Sequence, residues 1–467
     1  MASQIGVIGL AVMGENLARN LSRFFTTSVY NRTVDVTMKF MEQYSSSSTL
    51  VGYPDLKSFV LSLERPRKMI LMVKAGAPVD SVISELLPFL ELGDIIIDWG
   101  NSHYKDTVRR SRALHERGIE YVGCGISGGE EWALNGPSIM PGCSEAVWKQ
   151  IEPILTPIAA KDFSGGACVS HIGNEGAGHY VKMVHNGIEY AIMQMIAEAY
   201  ETFRKVYHLS APQIGAIFEE YNTGILDSYL IEITGKVLMK KDDFTERFVI
   251  DMILDRAGAK GTWLWTSVDA LESGMSVSSI VEATFARMVS SDKPLRTTLG
   301  KEYEFEHTTS LSLQEMRMKM EYTLYLGMLF AYAQGLALIR ARSIEYGWQV
   351  NLAEVTRIWQ GGCIIRSQIL TFLTDAYTAE ADVPHIFGLA PIHDAIEDHL
   401  ATYQQILSIL IQSNIATPAL SSALQYFYQM VTVDSSANMI QGLRDYFGAH
   451  TYERNDREGV FHTDWSA

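Results

Sequence analysis

Cysteine is scarce in this chain of 467 residues, which contains only four. They stand at Cys124, Cys143, Cys168 and Cys363, far apart and without a Cys-x-x-Cys pair. Short cysteine spacings are typical of zinc sites and of small disulfide-bonded domains, so neither is indicated. We expect a chain that holds no metal and works in a reducing cytoplasm.

Positive charge is also in deficit. The sequence has 38 Lys and Arg against 54 Asp and Glu, which gives a formal net charge of −16. This balance makes nucleic acid a poor partner. An anionic small molecule would need a local cluster of basic side chains to bind against the overall negative field.

The sequence also lacks a targeting segment, because no charged N-terminal region precedes an apolar stretch and a cleavage site. The longest uncharged run, residues 322–339, nearly reaches membrane-spanning length. Its tyrosine, glutamine and glycine residues favour a buried helix instead. We therefore expect no association with a membrane.

The length of the chain indicates two or three domains. Strand and helix patterns alternate through residues 1–175, which predicts an α/β domain with a doubly wound parallel sheet. Residues 176–433 show almost only helical periods, and residues 434–467 form a polar, glycine-bearing tail with no strand or long helix. Segments 210–230 and 351–369 match each other with a two-residue gap, which favours a duplicated all-helical domain.

A dinucleotide fingerprint opens the chain. Residues 5–9 have the pattern of a buried strand, and Gly9-Leu-Ala-Val-Met-Gly14 leads from it into a helix. Backbone amides at such a helix start bind a pyrophosphate. The expected contacts are Gly9, Leu10, Ala11, Val12, Met13 and Gly14.

The second strand, residues 27–30, ends in Asn31-Arg32-Thr33. An NAD-specific fold would place an acidic residue there to hold the ribose hydroxyls, whereas an arginine suits a 2′-phosphate. We expect NADP as the cofactor, with Asn31, Arg32 and Thr33 as contacts. The alternative is that Arg32 is a solvated loop residue.

Later strand ends carry further candidate residues, because ligands lie beyond the carboxyl ends of the strands in a doubly wound sheet. Val73, Lys74 and Ala75 follow one predicted strand and Asn101 follows the next, so these four are expected to touch cofactor or substrate. A further strand leads into Ser127-Gly-Gly129, where one hydroxyl and two backbone amides could hold a carboxylate or hydroxyl.

A polar stripe marks the long helical segment 176–201. Lys182, His185, Asn186, Glu189 and Tyr190 stand at i, i+3, i+4, i+7 and i+8, which is one face of a helix. Such a stripe could be an ordinary solvent face. However, these five groups are of five different kinds, which suits acid/base chemistry and the binding of a polar ligand.

The expected basic pocket can be assembled from Lys260 and Arg287, although each could instead be a surface charge. The tail contains Arg444 and His450. Such a segment packs poorly alone, so it more plausibly lies on another subunit.

Taken together, these motifs make the chain similar over its whole length to the decarboxylating 6-phosphogluconate dehydrogenases. The segments that carry the resemblance are Gly9-Leu-Ala-Val-Met-Gly14, Asn31-Arg-Thr33, Val73-Lys-Ala75, Ile126-Ser-Gly-Gly-Glu-Glu131, residues 178–190, Gly361-Gly-Cys-Ile-Ile-Arg366 and residues 444–452. The resemblance implies an NADP-binding Rossmann domain, a helical domain that forms most of a homodimer interface, and a tail that enters the partner subunit.

The resemblance also implies roles for single residues. Lys182 would be the general base, Glu189 the general acid, and no metal would be required. The implied substrate contacts are Asn101, Ser127, Gly128, Gly129, His185, Asn186, Tyr190, Lys260 and Arg287, with Arg444 and His450 from the other subunit. The implied reaction converts 6-phosphogluconate to ribulose 5-phosphate and carbon dioxide, and reduces NADP.

The chain departs from this family at several positions. Glycine is usual in the family where this chain has Trp99, Trp132, Cys143 and Trp263, and Gly-Asp is usual where it has Ala191-Ile192. Glycine often serves a positive φ or a close ligand approach, which tryptophan would obstruct, so we expect changes in activity or substrate fit more than in fold. Two alternatives follow: a dehydrogenase for a smaller β-hydroxyacid, and a weakly active or non-catalytic binding protein.

Overall fold

The computed structural model describes residues 2–44, 49–258 and 261–466. The first part of the chain builds one seven-stranded sheet, in the order β3-β2-β1-β4-β5-β6-β7. Every neighbouring pair is parallel except β6 with β7. The strands are β1 Ile5–Ile8, β2 Thr27–Tyr30, β3 Leu50–Gly52, β4 Lys68–Leu71, β5 Ile95–Asp98, β6 Glu120–Ser127 and β7 Ser138–Gly142.

Helices cover both faces of this sheet, as the buried apolar strands require. They are α1 Val12–Ser22, α2 Val34–Gln43, α3 Leu56–Leu61, α4 Ala77–Leu86, α5 Tyr104–His115, α6 Glu130–Asn135 and α7 Glu145–Ile158. The strand order reverses between β1 and β4, so the crevice at their carboxyl ends is the expected position for a dinucleotide. The predicted doubly wound domain is confirmed.

The second part of the chain is helical. Its helices are α8 Ala177–Val206, α9 Ala211–Tyr221, α10 Tyr229–Met239, α11 Val249–Met252, α12 Thr262–Ser273, α13 Ser278–Ser291, α14 Lys293–Leu299, α15 Leu313–Tyr346, α16 Leu352–Ile358, α17 Gln368–Ala379, α18 Ala390–Gln412 and α19 Pro418–Val431. Helix α15 is long and apolar enough to span a membrane, yet 83% of its most apolar window is buried inside the protein. The predicted buried helix at residues 322–339 lies within it.

The duplication predicted from the sequence is visible in the packing. Helices α8 and α15 each precede one copy of the repeat, and the two matched serines cap equivalent helices, α10 and α17. Ser228 and Ser367 pair in an antiparallel bridge. On either side of it, Tyr229 N donates to Arg366 O and Gln368 N donates to Asp227 O, both at 2.9 Å.

The N-terminal turns of α8 lie directly on β6 and β7. A Cβ atom at Gly178 would stand 2.1 Å from Met140 O, and one at Gly125 would stand 2.5 Å from Lys182 Cβ. No side chain fits at either contact, so these glycines permit the close approach of helix and sheet. The approach brings Lys182 beside the end of β6.

The tail corrects one prediction. Instead of an irregular segment, it contains helix α20 (Ala437–Gly448) and a hairpin of β8 (Tyr452–Glu453) and β9 (Val460–Phe461). The fully buried carboxylate of Asp445 organises it by accepting hydrogen bonds from Thr451 N, His462 Nδ1, Thr463 N and Trp465 Nε1 at 2.9–3.1 Å. Sequence periodicity missed this element because its stabilising contacts centre on one acidic side chain.

Candidate active site

A crevice of about 650 Å³ lies at the carboxyl ends of β1, β2 and β4. We call it the cofactor crevice. Of the thirteen residues expected to contact cofactor, seven line it: Gly9, Ala11, Asn31, Arg32, Thr33, Val73 and Lys74. The other six, Leu10, Val12, Met13, Gly14, Ala75 and Asn101, lie beside these residues in the chain or at the end of β5 but are not part of its wall.

The crevice fits a dinucleotide. A Cβ atom would stand 2.4 Å from Met72 O at Gly9, where φ is +99°, and 1.9 Å from Gly9 O at Gly14. These glycines let the turn fold tightly against the start of α1. No side chain caps that helix, so the backbone N–H groups of its first turn are available to an anion.

Arg32 stands exposed at the mouth of the crevice, next to Asn31. In the described part of the chain no hydrogen bond or ion pair engages its guanidinium, whereas Asn31 Oδ1 accepts from Leu10 N at 3.1 Å. Asn31 therefore fixes the turn. Arg32 carries a free positive charge at the position expected for the 2′-phosphate.

The inner part of the polar stripe of α8 is buried in the protein and is not a solvent face. Lys182 is 8% exposed, His185 is fully buried, and Glu189 is 9% exposed. Lys182 Nζ lies 3.3 Å from His185 Nδ1, and Glu189 Oε2 lies 3.9 Å from the same atom. On the other side of the ring, His185 Nε2 lies 2.9 Å from Ser127 Oγ at the end of β6. These four residues, Ser127, Lys182, His185 and Glu189, are the candidates for acid/base chemistry, and we call them the catalytic cluster.

Burial changes the acid/base properties of this cluster. It lowers the pKa of Lys182 from 10.5 to about 8, although the nearby Glu189 carboxylate opposes the change. Burial, together with the charge of Lys182, keeps the pKa of His185 well below 6.5. Burial also raises the pKa of Glu189 above 4.5, against the opposing charges of Lys182 and Arg287. The lysine can thus become neutral near physiological pH.

The neutral His185 has one ring proton to place. Nδ1 has both Lys182 Nζ, at 3.3 Å, and Asn186 Oδ1, at 3.2 Å, within reach, so it accepts from the lysine when Nε2 carries the proton and donates to the amide oxygen when Nδ1 carries it. Ser127 Oγ is the partner of Nε2 in either tautomer. The ring also makes an edge contact with Trp359, with centroids 5.5 Å apart. Both ring nitrogens of the imidazole therefore have polar partners, and Trp359 packs against the ring.

At the far end of the stripe, Arg287 from α13 lies 3.6 Å above the ring of Tyr190 and donates to Gly258 O at 3.1 Å. Asn186 Oδ1 lies 3.2 Å from His185 Nδ1. Arg287 thus places a positive charge at the outer end of the polar stripe, beside Tyr190. Lys260, its expected companion, lies outside the described residues.

The remaining candidate residues are spread over three places. Gly128, with φ +106°, and the exposed Gly129 follow Ser127 directly, and exposed Asn101 follows β5. Arg444 and His450 are exposed in the tail. In the described part of the chain, the tail's hydrogen bonds and ion pairs are all with other tail residues, such as Arg444 Nη1 with Gln441 Oε1.

The bulky replacements of glycine behave differently from one another. Trp99 and Cys143 are 2% and 3% exposed in the core on one face of the sheet, and their backbones avoid positive φ. Neither position therefore needs glycine for a positive φ, and both side chains fill the core of the α/β domain. Trp132 does border the site: its ring lies tilted against that of Tyr229, with centroids 4.6 Å apart, and would stand 2.7 Å from a Cβ atom at Gly128. The side chain of Trp263 lies outside the described part.

Two residues that support the catalytic cluster were not predicted from the sequence. One is Trp359, which precedes the Gly361-Gly362 pair and contacts His185. The other is Thr266, whose Oγ1 donates to Met183 O at 2.8 Å and ties α12 to α8. The glycine pair was a usable signal, since Gly362 has φ +63° and would carry a Cβ atom 2.5 Å from Gly136 O.

Known proteins are similar to this chain over both of its domains. Residues 4–173 match the family model for the NAD binding domain of 6-phosphogluconate dehydrogenase, and residues 178–465 match the model for its C-terminal domain. Similar curated proteins are the NADP(+)-dependent, decarboxylating 6-phosphogluconate dehydrogenase of Bacillus subtilis, at 46% identity, and the decarboxylating enzyme of Salmonella typhimurium, at 47%. Each alignment covers 99% of both chains.

A solved structure is similar as well. The 6-phosphogluconate dehydrogenase of Plasmodium falciparum, described in its apo form and in complexes with NADP+ and with 6-phosphogluconate, has a TM-score of 0.96 and 40% identity. The match covers 99% of this chain and 100% of the other. With both family models and full-length relatives in agreement, the chain belongs to the 6-phosphogluconate dehydrogenase family.

Proposed function

We infer that this chain oxidises and decarboxylates 6-phosphogluconate to ribulose 5-phosphate and carbon dioxide, with reduction of NADP+ to NADPH. The observation that carries the inference is the buried Lys182, whose pKa is lowered to about 8. It lies beside His185 and on the same face of α8 as Glu189. A general base is most effective when its pKa lies near the working pH. The relatives named above carry the same activity in their names.

The chain's residues can divide the chemistry between them. Neutral Lys182 takes the proton of the C3 hydroxyl, and the bound nicotinamide accepts the hydride from C3. The resulting β-keto acid loses its carboxylate as carbon dioxide, because the C3 carbonyl accepts the electron pair of the broken C–C bond. The ammonium form of Lys182 stabilises the negative oxygen at C3.

Glu189 completes the reaction. Its raised pKa favours the protonated form, which can deliver a proton to C2, the carbon that has lost the carboxylate. This proton converts the enediolate to the ketose product, in which the C3 oxygen is a carbonyl again. Lys182 is then still an ammonium group and Glu189 a carboxylate, so the net transfer of one proton from Lys182 to Glu189 restores both groups for the next turnover. Ser127 and His185 orient the lysine and complete the wall of the cleft.

For the cofactor we propose that Arg32 and Lys74 hold the 2′-phosphate and that the first turn of α1 holds the pyrophosphate. Arg32 has no protein partner to give up, and an arginine fork suits a phosphate group. For the substrate phosphate we propose Tyr190, Lys260 and Arg287, joined by Arg444 and His450. We place the enzyme in the cytoplasm, since the four cysteines are free and buried.

We further propose that the enzyme is a homodimer whose tails are exchanged. Helix α20 exposes one apolar stripe, with side chains 51–71% exposed, at Met439, Ile440, Leu443, Tyr446 and Phe447. Apolar side chains are also exposed on α12 to α14, at Leu264, Val268, Leu271, Phe285, Met288, Val289, Leu295 and Leu299. Exposed apolar surface of this extent is typical of a protein interface, and a second copy of this chain offers both surfaces at once.

The backbone conformation of the tail around His450 also suits a segment that binds a ligand. His450 stands between Ala449 and Thr451, whose φ values are +49° and +62°. Such backbone strain in non-glycine residues is usual at functional sites. Asp445 holds this turn through Thr451 N, so the tail can present its basic residues in a fixed arrangement.

The test is a substrate comparison. The purified enzyme should release one carbon dioxide per NADPH, and kcat/KM should be far higher for 6-phosphogluconate than for gluconate or short 3-hydroxy acids. Equal values for phosphorylated and unphosphorylated acids would favour a dehydrogenase for smaller β-hydroxyacids. Absence of NADPH formation with every acid would favour a non-catalytic binding protein.

A further inference from the structure

A buried arginine connects the cofactor crevice to the loop that carries Asn101. Arg110 lies on α5, and its side chain is 2% exposed. Its Nε and Nη2 donate to the two oxygens of Asp80 at 2.9 Å, and Nη2 also donates to Gly76 O at 3.0 Å. Its Nη1 donates to Ser102 Oγ at 3.4 Å. One guanidinium thus bridges the start of α4 and the segment after β5.

Asp98 fixes the second of these segments. Its carboxylate accepts from Gly100 N at 2.9 Å, from Ser102 Oγ at 2.6 Å and from Tyr121 OH at 2.6 Å. Arg110 Nη1 lies 3.8 Å from the same carboxylate. Asn101 stands between Gly100 and Ser102, so both neighbours of this exposed residue are tied to one buried acid.

The hydrogen bonds around Asp98 also reach α8, the helix that carries Lys182. His179 lies three residues before Lys182 on α8, and its Nε2 donates to the backbone oxygen of Asp98 at 3.1 Å. Burial lowers the pKa of His179, so the ring is neutral and its Nδ1 accepts from Thr107 Oγ1 at 2.7 Å. The position of Asp98 is therefore coupled to α8 as well as to Arg110.

The other end of the bridge forms part of the cofactor crevice. Ala77, Pro78 and Ser81, which belong to the first turns of α4, line the crevice. Gly76 and Asp80 belong to the same turns, and both are held by Arg110. A change in the position of Arg110 would therefore displace the wall of the crevice relative to Asn101.

We propose that Arg110 is a positioning residue, which holds the α4 wall of the cofactor crevice and the Asn101 segment in one fixed arrangement for NADP+ binding and hydride transfer. The proposal rests on NADP+ as the cofactor of this crevice but not on the identity of the acid substrate. Burial disfavours the charged guanidinium, but the hydrogen bonds to Asp80 outweigh it and raise the pKa of Arg110, while they lower the pKa of Asp80 to about 2. The ion pair therefore stays intact over the working pH range.

The neighbouring arginine offers a matched control. Arg109 also donates to Asp80, at 3.0 and 3.2 Å, but its side chain is 57% exposed, and it reaches neither Gly76 nor Ser102. Exposed ion pairs contribute little. If only a positive charge near Asp80 were needed, replacing Arg109 or Arg110 by alanine would have the same effect on NADP+ binding and kcat.

The test measures the NADP+ dissociation constant by titration calorimetry without substrate, together with kcat and Tm, in Arg110→Ala, Arg110→Lys and Arg109→Ala. Small displacements at a distance from the chemistry can cost about 10²-fold in rate, so Arg110→Ala should weaken NADP+ binding and lower kcat by about tenfold or more. Arg110→Lys should restore little of the NADP+ affinity or of kcat, because an ammonium group cannot make the divergent hydrogen bonds of the guanidinium to both segments. Arg109→Ala should match the wild type in both quantities.

A purely structural role is separated by chemical rescue. Guanidinium at low millimolar concentration should restore NADP+ affinity and kcat to Arg110→Ala and leave Arg109→Ala unchanged. If Arg110→Ala does not fold, Asp80→Asn removes the negative charge and one of the two acceptor oxygens at the α4 end of the bridge and should weaken NADP+ binding in the same direction. The proposal is overturned if a folded Arg110→Ala, or Asp80→Asn in its place, binds NADP+ and turns over as the wild type does, or if only Tm changes.

Discussion

The catalytic cluster and the tail differ in what stabilises them. The cluster is buried, and its side chains contact groups from β6, α8 and the segment around Trp359. The tail is held by its own Asp445, and it exposes the apolar stripe of α20 to solvent. One chain therefore forms the whole of this buried cluster, whereas the exposed basic residues of the tail form no hydrogen bond or ion pair outside the tail in the part of the chain that the structure describes. In the function proposed above, a second chain supplies the surface on which they act.

The largest expected effect is at the buried side of this comparison. Lys182→Ala should lower kcat by about 10²–10⁴-fold, because general base catalysis contributes that much, and NADP+ and substrate should still bind. Lys182→Arg should fail as well, since a guanidinium is not deprotonated near neutral pH. Stopped-flow measurement of NADPH formation checks both variants, and turnover near the wild-type rate in either would remove Lys182 from the base role.

A smaller effect is expected at the cofactor crevice. Arg32→Glu should raise the dissociation constant of NADP+ by about one to two orders of magnitude, because a hydrogen bond to a charged group contributes about 1.5–3 kcal/mol. Binding of NAD+ is the internal control, since it lacks the 2′-phosphate and should change much less. If both dinucleotides weaken equally, Arg32 positions the turn and does not recognise the phosphate.

A subtler effect concerns pH. Since the neutral form of Lys182 is the base, hydride transfer should fall about tenfold per pH unit below a pKa of about 8 and level off above it. Glu189 raises that pKa when it is ionised, so Glu189→Gln should shift the fall in rate to lower pH. Single-turnover measurement of NADPH formation follows the pH dependence of hydride transfer alone, independently of the later proton delivery by Glu189. A shift to higher pH would contradict the assigned electrostatics.

Much of the fold followed from local pattern. The glycine fingerprint, the buried strands and the polar stripe of α8 each have a short sequence period, and the structure confirms the architecture they predicted. Strand β7 was not predicted, because Pro141 and Gly142 are poor strand residues. They are tolerated there because β7 pairs antiparallel at one end of the sheet.

The site was predictable where its residues share one helix or one strand end, as with Lys182, His185 and Ser127. It was not predictable where distant segments meet. Trp359 and Thr266 reach α8 only through the tertiary packing. Trp99 illustrates the opposite case: its position next to a ligand loop suggested obstruction, but the rotation of the chain after β5 turns the indole into the core.

The most direct test of the two-region account mixes two inactive variants, Lys182→Ala and Arg444→Ala. If each site combines the cluster of one chain with the tail of the other, a heterodimer contains one site with both defects and one with neither. Equal amounts that exchange subunits at random form heterodimers in about half of the dimers, so the account predicts recovery of about a quarter of wild-type activity. Demonstrated subunit exchange without any recovery would contradict it, because Arg444 would then serve its own chain or no site at all.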